Sequence, residues 1–271
     1  MKKMIVLILT SLWLVSCSSA PTTTSVLSVG MECNYAPFNW MQQEESEDAI
    51  FVESTQSYCG GYDVLIAQEI ADELNLTLEI VPTQWEGLIP AIQSNSIDLI
   101  IAGMTDTEDR RLEVSFTEPY YYSDYVVLTL ASSPLAKATS LEDLSGTKFV
   151  GQMATNYDLV IDQIPNVLHE PALATVPIIV NAIKQLAVDG TVVEKPVAQA
   201  VIATNPELVM VEFEEGSGFV QDENITTAVS IAVNKDNTEL LTKVNEVLQQ
   251  LDQATRESLM NQAMENQPSG E

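Results

Sequence analysis

DLIIAGMTDTEDRRLEVSFTEPYYY, residues 98–122, decides how the rest of the chain is read. Leu99-Ile100-Ile101-Ala102 is a short apolar run of the kind that forms a buried strand. It ends at Gly103, Met104 and Thr105, and Arg110 stands five residues beyond the threonine. A strand that stops at a glycine opens the backbone, so neighbouring N–H groups can face a ligand. Thr105 adds a hydroxyl, and the planar, two-pronged guanidinium of Arg110 is the side chain that best matches a carboxylate. Together they describe a carboxylate receptor. The alternative is a solvated helix face carrying Glu108, Asp109, Arg110 and Arg111, because exposed ion pairs are common and contribute little.

Strand-like apolar runs alternate with helical patterns on both sides of this stretch, which predicts an α/β fold with mainly parallel sheets. Before it, residues 26–29 and 78–81 read as strands and 85–94 as a helix. Asp63 is placed to cap a helix carrying Leu65, Ile66, Ile70 and Leu74. After it, strands are expected at 125–130, 148–151, 191–193, 209–213 and 228–233. Helices are expected from Thr155, over 181–188, from Pro196 and over 239–251. Two α/β units in series result, and 271 residues suffice for both.

The first 17 residues have the physics of a signal peptide: Lys2 and Lys3, then an apolar run too short to span a bilayer comfortably. Leu14-Val15-Ser16-Cys17 resembles a bacterial lipobox, so Cys17 is the expected lipidation site and 18–25 a flexible tether. The predicted location is extracytoplasmic, anchored by lipid. A formal charge of −28 excludes nucleic acid and anionic membrane surfaces as partners and favours a cationic small molecule. Beyond Cys17 only Cys33 and Cys59 remain. In an exported chain they point to one disulfide closing an acidic loop at 41–57, with two free thiols as the alternative. Residues 265–271 are expected to fray.

Ligands of open α/β sheets bind at the carboxyl ends of strands. Glu32 and Tyr35 follow the first strand, and Glu194 follows the strand at 191–193, where a carboxylate suits an ammonium group. Trp85, just before a helix, can supply an aromatic wall. Each has a plainer reading as packing residue or loop charge. Catalytic and metal patterns are weak: His169, the only histidine, reads as a surface loop residue, and no Cys/His ligand spacing or phosphate loop occurs.

At YAPF (35–38), GYDV (61–64), LIPAIQSNSIDLIIAGMTDTEDR (88–110), FTEPYY (116–121) and VDGTVVEKPVA (188–198) the resemblance becomes specific. The chain resembles the family-3 solute-binding proteins of polar amino-acid ABC importers, most closely the Gram-positive binders of basic amino acids. The resemblance implies a two-lobed, type II periplasmic-binding-protein fold. Lobe 1 would comprise 26–122 and 228–271, lobe 2 would comprise 123–227, and two strands would form the hinge.

It implies that Arg110 and Thr105, with the backbone of Ala102, Gly103 and Met104, hold the α-carboxylate of an L-amino acid. Thr155 and Gln152 of the second lobe would assist. Glu194 occupies the α-ammonium position, one methylene longer than the family's usual Asp. Tyr35 and Trp85 would sandwich the ligand side chain, and Glu32 would meet a distal cation, favouring arginine or lysine. An ABC permease is the implied partner; a monomer without cofactor is expected. A cyclohexadienyl dehydratase-like enzyme on the same fold, or a ligand-sensing surface lipoprotein, are the rival readings.

Overall fold

The computed structural model describes residues 25–222 and 226–268. The expected signal peptide, Cys17 and all but the last residue of the tether lie outside them. One five-stranded sheet runs in the order Thr77–Pro82, Val26–Met31, Leu99–Ile100, Ala232–Val233, Ser115–Phe116. A second runs Leu168–His169, Lys148–Phe149, Gly190–Glu194, Tyr125–Leu130, Leu208–Val211. Between them Tyr121–Tyr122 pairs antiparallel with Ala228–Val229, and the Ser123 N–H donates to the Thr227 carbonyl at 3.2 Å.

Both sheets are mixed, where mainly parallel sheets were expected. In the first, Val26–Met31 pairs parallel with both of its neighbours, but Ala232–Val233 is antiparallel to both of its own. In the second, the pairs made by Lys148–Phe149 are parallel and those made by Tyr125–Leu130 antiparallel. The reason is topological. Strands followed by a crossover helix point their carboxyl ends at the junction between the sheets. Tyr125–Leu130 and Ala232–Val233 enter from that junction and must run the other way.

Residues 41–57 form an antiparallel sheet instead of a loop: Asn39–Gln42 and Ala49–Val52 flank Ser57–Gly60, with Asn34–Tyr35 on the outer edge. Cys33 and Cys59 are joined by a disulfide, with their Cα atoms 5.8 Å apart. The helix expected at 181–188 spans Val176–Lys184, because Pro177 supplies a first helical turn and starts it earlier. The strand expected at 228–233 is split into Ala228–Val229 and Ala232–Val233, which belong to different sheets.

Asp63 does not cap its helix. The helix is Tyr62–Glu73 and its cap is Gly61, whose φ of 123° and 2.4 Å approach of a would-be Cβ to the Phe38 carbonyl require glycine. A further helix, Gln253–Asn266, extends into the stretch expected to fray. Its last residues bridge the molecule. Gln262 and Asn266 donate to Asp48, and Gln267 donates to the carbonyl of Ala200, on a helix packed against the second sheet.

The first core gathers Leu27, Val29, Ile66, Ile70, Leu99, Val233 and Leu248. The second gathers Val127, Phe149, Val160, Ile161, Val192 and Val211. The apolar strand runs of the sequence are thus the floors of both units, and their polar ends meet at one crevice.

Candidate functional site

On the first-sheet side, Glu32 and Tyr35 follow Val26–Met31, and Gly103 to Thr105 follow Leu99–Ile100. Trp85 opens the helix Trp85–Gln93, and Arg110 lies on the short helix Glu108–Arg111, where the Thr107 hydroxyl accepts from its backbone N–H. On the second side, Thr155 caps the helix Asn156–Val160 by accepting from the Asp158 N–H. That helix can sit close to the sheet because Gly151 has no side chain; a Cβ there would lie 2.4 Å from the Asp158 Cα. Glu194 ends the strand Gly190–Glu194.

The Arg110 guanidinium donates from Nη1 to the Thr105 carbonyl at 2.7 Å and its hydroxyl at 2.8 Å, and from Nη2 to the Ala154 carbonyl at 3.1 Å. It stands 5.0 Å from the Trp85 ring centroid, and the Trp85 indole N–H also donates to Ala154 at 3.0 Å. The Thr105 hydroxyl in turn donates to Asn156 Oδ1 at 3.1 Å. Among the described residues no carboxylate pairs with this guanidinium. Burial pushes its pKa down to about 10, the direction expected for a cation removed from water. Asp106 acts on it only from a distance, so among the described residues Arg110 has no carboxylate at ion-pair distance.

The complement lies on the other side. Glu194 is fully buried; the Tyr157 hydroxyl donates to its Oε1, and Oε2 has no partner among the described residues. Burial raises its pKa to about 8, against the lowering effect of the Tyr157 and Tyr35 hydroxyls. Glu32 is raised to about 7, again chiefly by burial, while Gln152 donates to its oxygens at 3.3 and 3.5 Å. The Tyr35 ring stacks on Phe38 with centroids 5.7 Å apart and packs against Gly103, where a Cβ would approach it to 3.0 Å. The crevice is narrow, with Glu32, Tyr35, Trp85, Thr105, Gln152 and Thr155 among its walls.

Gly103 is also among the walls, but not every predicted group points into this space. The Gly103 N–H, expected to point at a ligand, donates to the Tyr120 hydroxyl at 3.2 Å. Ala102 and Met104 are buried, and the Met104 carbonyl accepts from Ser230. Two residues the sequence reading passed over belong here. Asn156 links Thr105 to the Tyr125 hydroxyl and the Thr226 carbonyl, and Tyr157 holds Glu194. Their signal was their place in Thr155-Asn156-Tyr157, at the start of a helix that already held a candidate. His169 lies in the strand Leu168–His169, half-buried between Asp158 and Asp162.

Two α/β units whose strand ends share one polar crevice, crossed twice by the chain, define a cleft receptor of the type II periplasmic-binding class. Over residues 27–265 the chain matches the bacterial extracellular solute-binding proteins, family 3, and it belongs to that family. A probable histidine-binding protein of Campylobacter jejuni is 32% identical over 228 residues, covering 79% of this chain and 83% of the relative. The putative ABC transporter arginine-binding protein 2 of Escherichia coli is 28% identical, covering 90% of this chain and 93% of its own. The structure is also similar to the arginine-bound form of truncated ArgBP from T. maritima, with a TM-score of 0.69, 29% identity, and 84% and 97% of the two chains covered. Among the described residues no helix is long and apolar enough to cross a membrane.

Proposed function

We propose that this protein captures an L-amino acid with a cationic side chain, arginine or lysine, and delivers it to an ABC permease from a lipid anchor at Cys17. The observation that carries this reading is a pair of buried groups without ion-pair partners among the described residues: a guanidinium with no carboxylate at ion-pair distance on one side, and a buried carboxyl, Glu194, with no cation on the other. An α-amino acid supplies both. Its carboxylate would take the place of the Ala154 carbonyl on Arg110, with Thr105, Thr155 and Asn156 as further partners. Its ammonium would meet Glu194. Tyr35 and Trp85 would flank the side chain, and Glu32, held by Gln152, would receive its distal charge.

Lobe 1 (26–122 and 228–271) and lobe 2 (123–227) would close about the strand pair Tyr121–Tyr122 and Ala228–Val229, and the ligand favours closure through contacts made to both. The arginine- and histidine-binding names of the relatives support a basic ligand. A monomer serves this purpose. A thermal-shift screen of the twenty amino acids and ornithine tests it, because a ligand bound by the folded state raises the melting temperature by mass action. Arginine or lysine should give the largest shift; a flat screen rejects the proposal. A carboxyl protonated near neutrality, like Glu194, is also what a general acid needs. Turnover of arogenate or prephenate would favour that enzyme reading.

A further inference from the structure

Asn156 stands where the crevice meets the hinge. Its Oδ1 accepts from the Thr105 hydroxyl at 3.1 Å, and its Nδ2 donates to the Tyr125 hydroxyl at 2.7 Å and the Thr226 carbonyl at 2.6 Å. The Tyr125 hydroxyl donates to the same carbonyl at 2.8 Å. A carbonyl can only accept, so the amide must present Nδ2 to Thr226 and Oδ1 to Thr105. Thr105 is set in the same way: its hydroxyl accepts from Arg110 Nη1 at 2.8 Å, leaving its single hydrogen for Asn156. The direction of every bond from the guanidinium to Thr226 is therefore fixed.

The two ends of the Thr105–Asn156 bond are fastened to opposite sides of the hinge. Thr105 forms an antiparallel bridge with Val229, and the neighbouring Asp106 N–H donates to the Ala228 carbonyl at 3.0 Å. Asn156 is held at Thr226, two residues before the strand Ala228–Val229, and at Tyr125, three residues after Tyr121–Tyr122. It thus clasps both chain crossings and reaches over them to the loop that carries Thr105. A hydrogen bond is lost once donor and acceptor part by roughly 1 Å, so bending at the hinge makes or breaks this one. Both amide hydrogens are committed, so the Asn156 side chain acts on a ligand's carboxylate only through Thr105.

We infer that Asn156 is a positioning residue that couples ligand capture to hinge closure: it offers its acceptor to Thr105 only when the two lobes come together. The inference rests on the receptor reading. Arg110 and Thr105 take the carboxylate on lobe 1, and the bond to Asn156 stabilises the closed form alone. Contacts made only after closure slow the escape of a ligand and leave its encounter with the open form unchanged.

Stopped-flow tryptophan fluorescence of the full-length protein with arginine tests it, with Trp85 on the crevice wall as reporter. Asn156→Ala should raise koff about tenfold, because the buried Thr105 hydroxyl loses its acceptor, and leave kon within about twofold. Asn156→Asp keeps the shape but sets an oxygen against the Thr226 carbonyl, and should raise koff at least as much. Tyr125→Phe, outside the crevice walls, should raise koff about threefold by loosening the anchor of Asn156. Thr105→Val, which removes the donor, should absorb most of the Asn156→Ala loss in a double-mutant cycle. If Asn156→Ala fails to fold, Tyr125→Phe decides by the same split of rates. An unchanged koff, a loss that falls on kon, or losses that add in the cycle overturn the inference, while arginine binding by the wild type upholds the receptor. A wild type that binds no arginine overturns both.

Discussion

Amino-acid binding at pH 7 should expel a proton from Glu194. With a pKa of about 8, this carboxyl is roughly nine-tenths protonated at pH 7 in the ligand-free protein, and an ammonium seated against it requires the ionised form. Binding of a neutral amino acid such as glutamine therefore releases roughly 0.9 proton. Arginine should release roughly 0.5 more, because Glu32, at about 7, is half protonated and must also ionise. Calorimetric titrations in buffers of different ionisation enthalpy read these numbers directly, as the slope of observed heat against buffer heat. Affinity for glutamine should climb about tenfold per pH unit up to pH 8 and then level off.

The same shift governs stability with the opposite sense. The folded-state pKa of Glu194 lies above its usual 4.5, so its contribution is complete below about 4.5 and is lost as pH rises to about 8. The loss is on the order of 5 kcal/mol, and the melting temperature of the ligand-free protein should fall across that window. Heats that do not depend on the buffer, together with a pH-independent affinity, would refute the assignment of Glu194 to the ammonium.

Arg110→Ala should cost at least about 2 kcal/mol of binding, roughly thirtyfold in affinity, since it removes a charge-assisted two-pronged contact; calorimetry near the wild-type constant would reject that role. Glu32→Gln should weaken arginine about tenfold or more and leave glutamine nearly unchanged, as measured by competition, because only the former brings a charge to that end of the crevice. Replacing Cys33 and Cys59 by serine opens a crosslink spanning 26 residues and should lower unfolding stability by about 3.5 kcal/mol, seen as a lower urea midpoint.

The crevice was legible where chemistry and strand ends coincide. Leu99-Ile100 announced a buried strand, and Thr105 and Arg110 were read from their types and spacing alone. Asp63 was misread because a carboxylate near a helix start has two fates. It can cap the backbone, or it can be buried beside hydroxyls brought in from distant segments, as Tyr120 is, 57 positions away. Residues 41–57 hid their strands behind an acidic turn, since the pairing partners of Ala49–Val52 are set by tertiary contacts and the disulfide. The helix Gln253–Asn266 has little apolar stripe: of its fourteen residues only Met260 and Ala263 are buried. Mixed sheet direction followed from where the chain re-enters each unit, which local pattern does not record.

The Gln267 amide, laid on the carbonyl of Ala200, places the end of the last helix on the opposite half of the protein. Purification handles fused to the carboxyl terminus would therefore begin next to the contact between Gln267 and Ala200. Any change of affinity they cause would be an artefact of cloning.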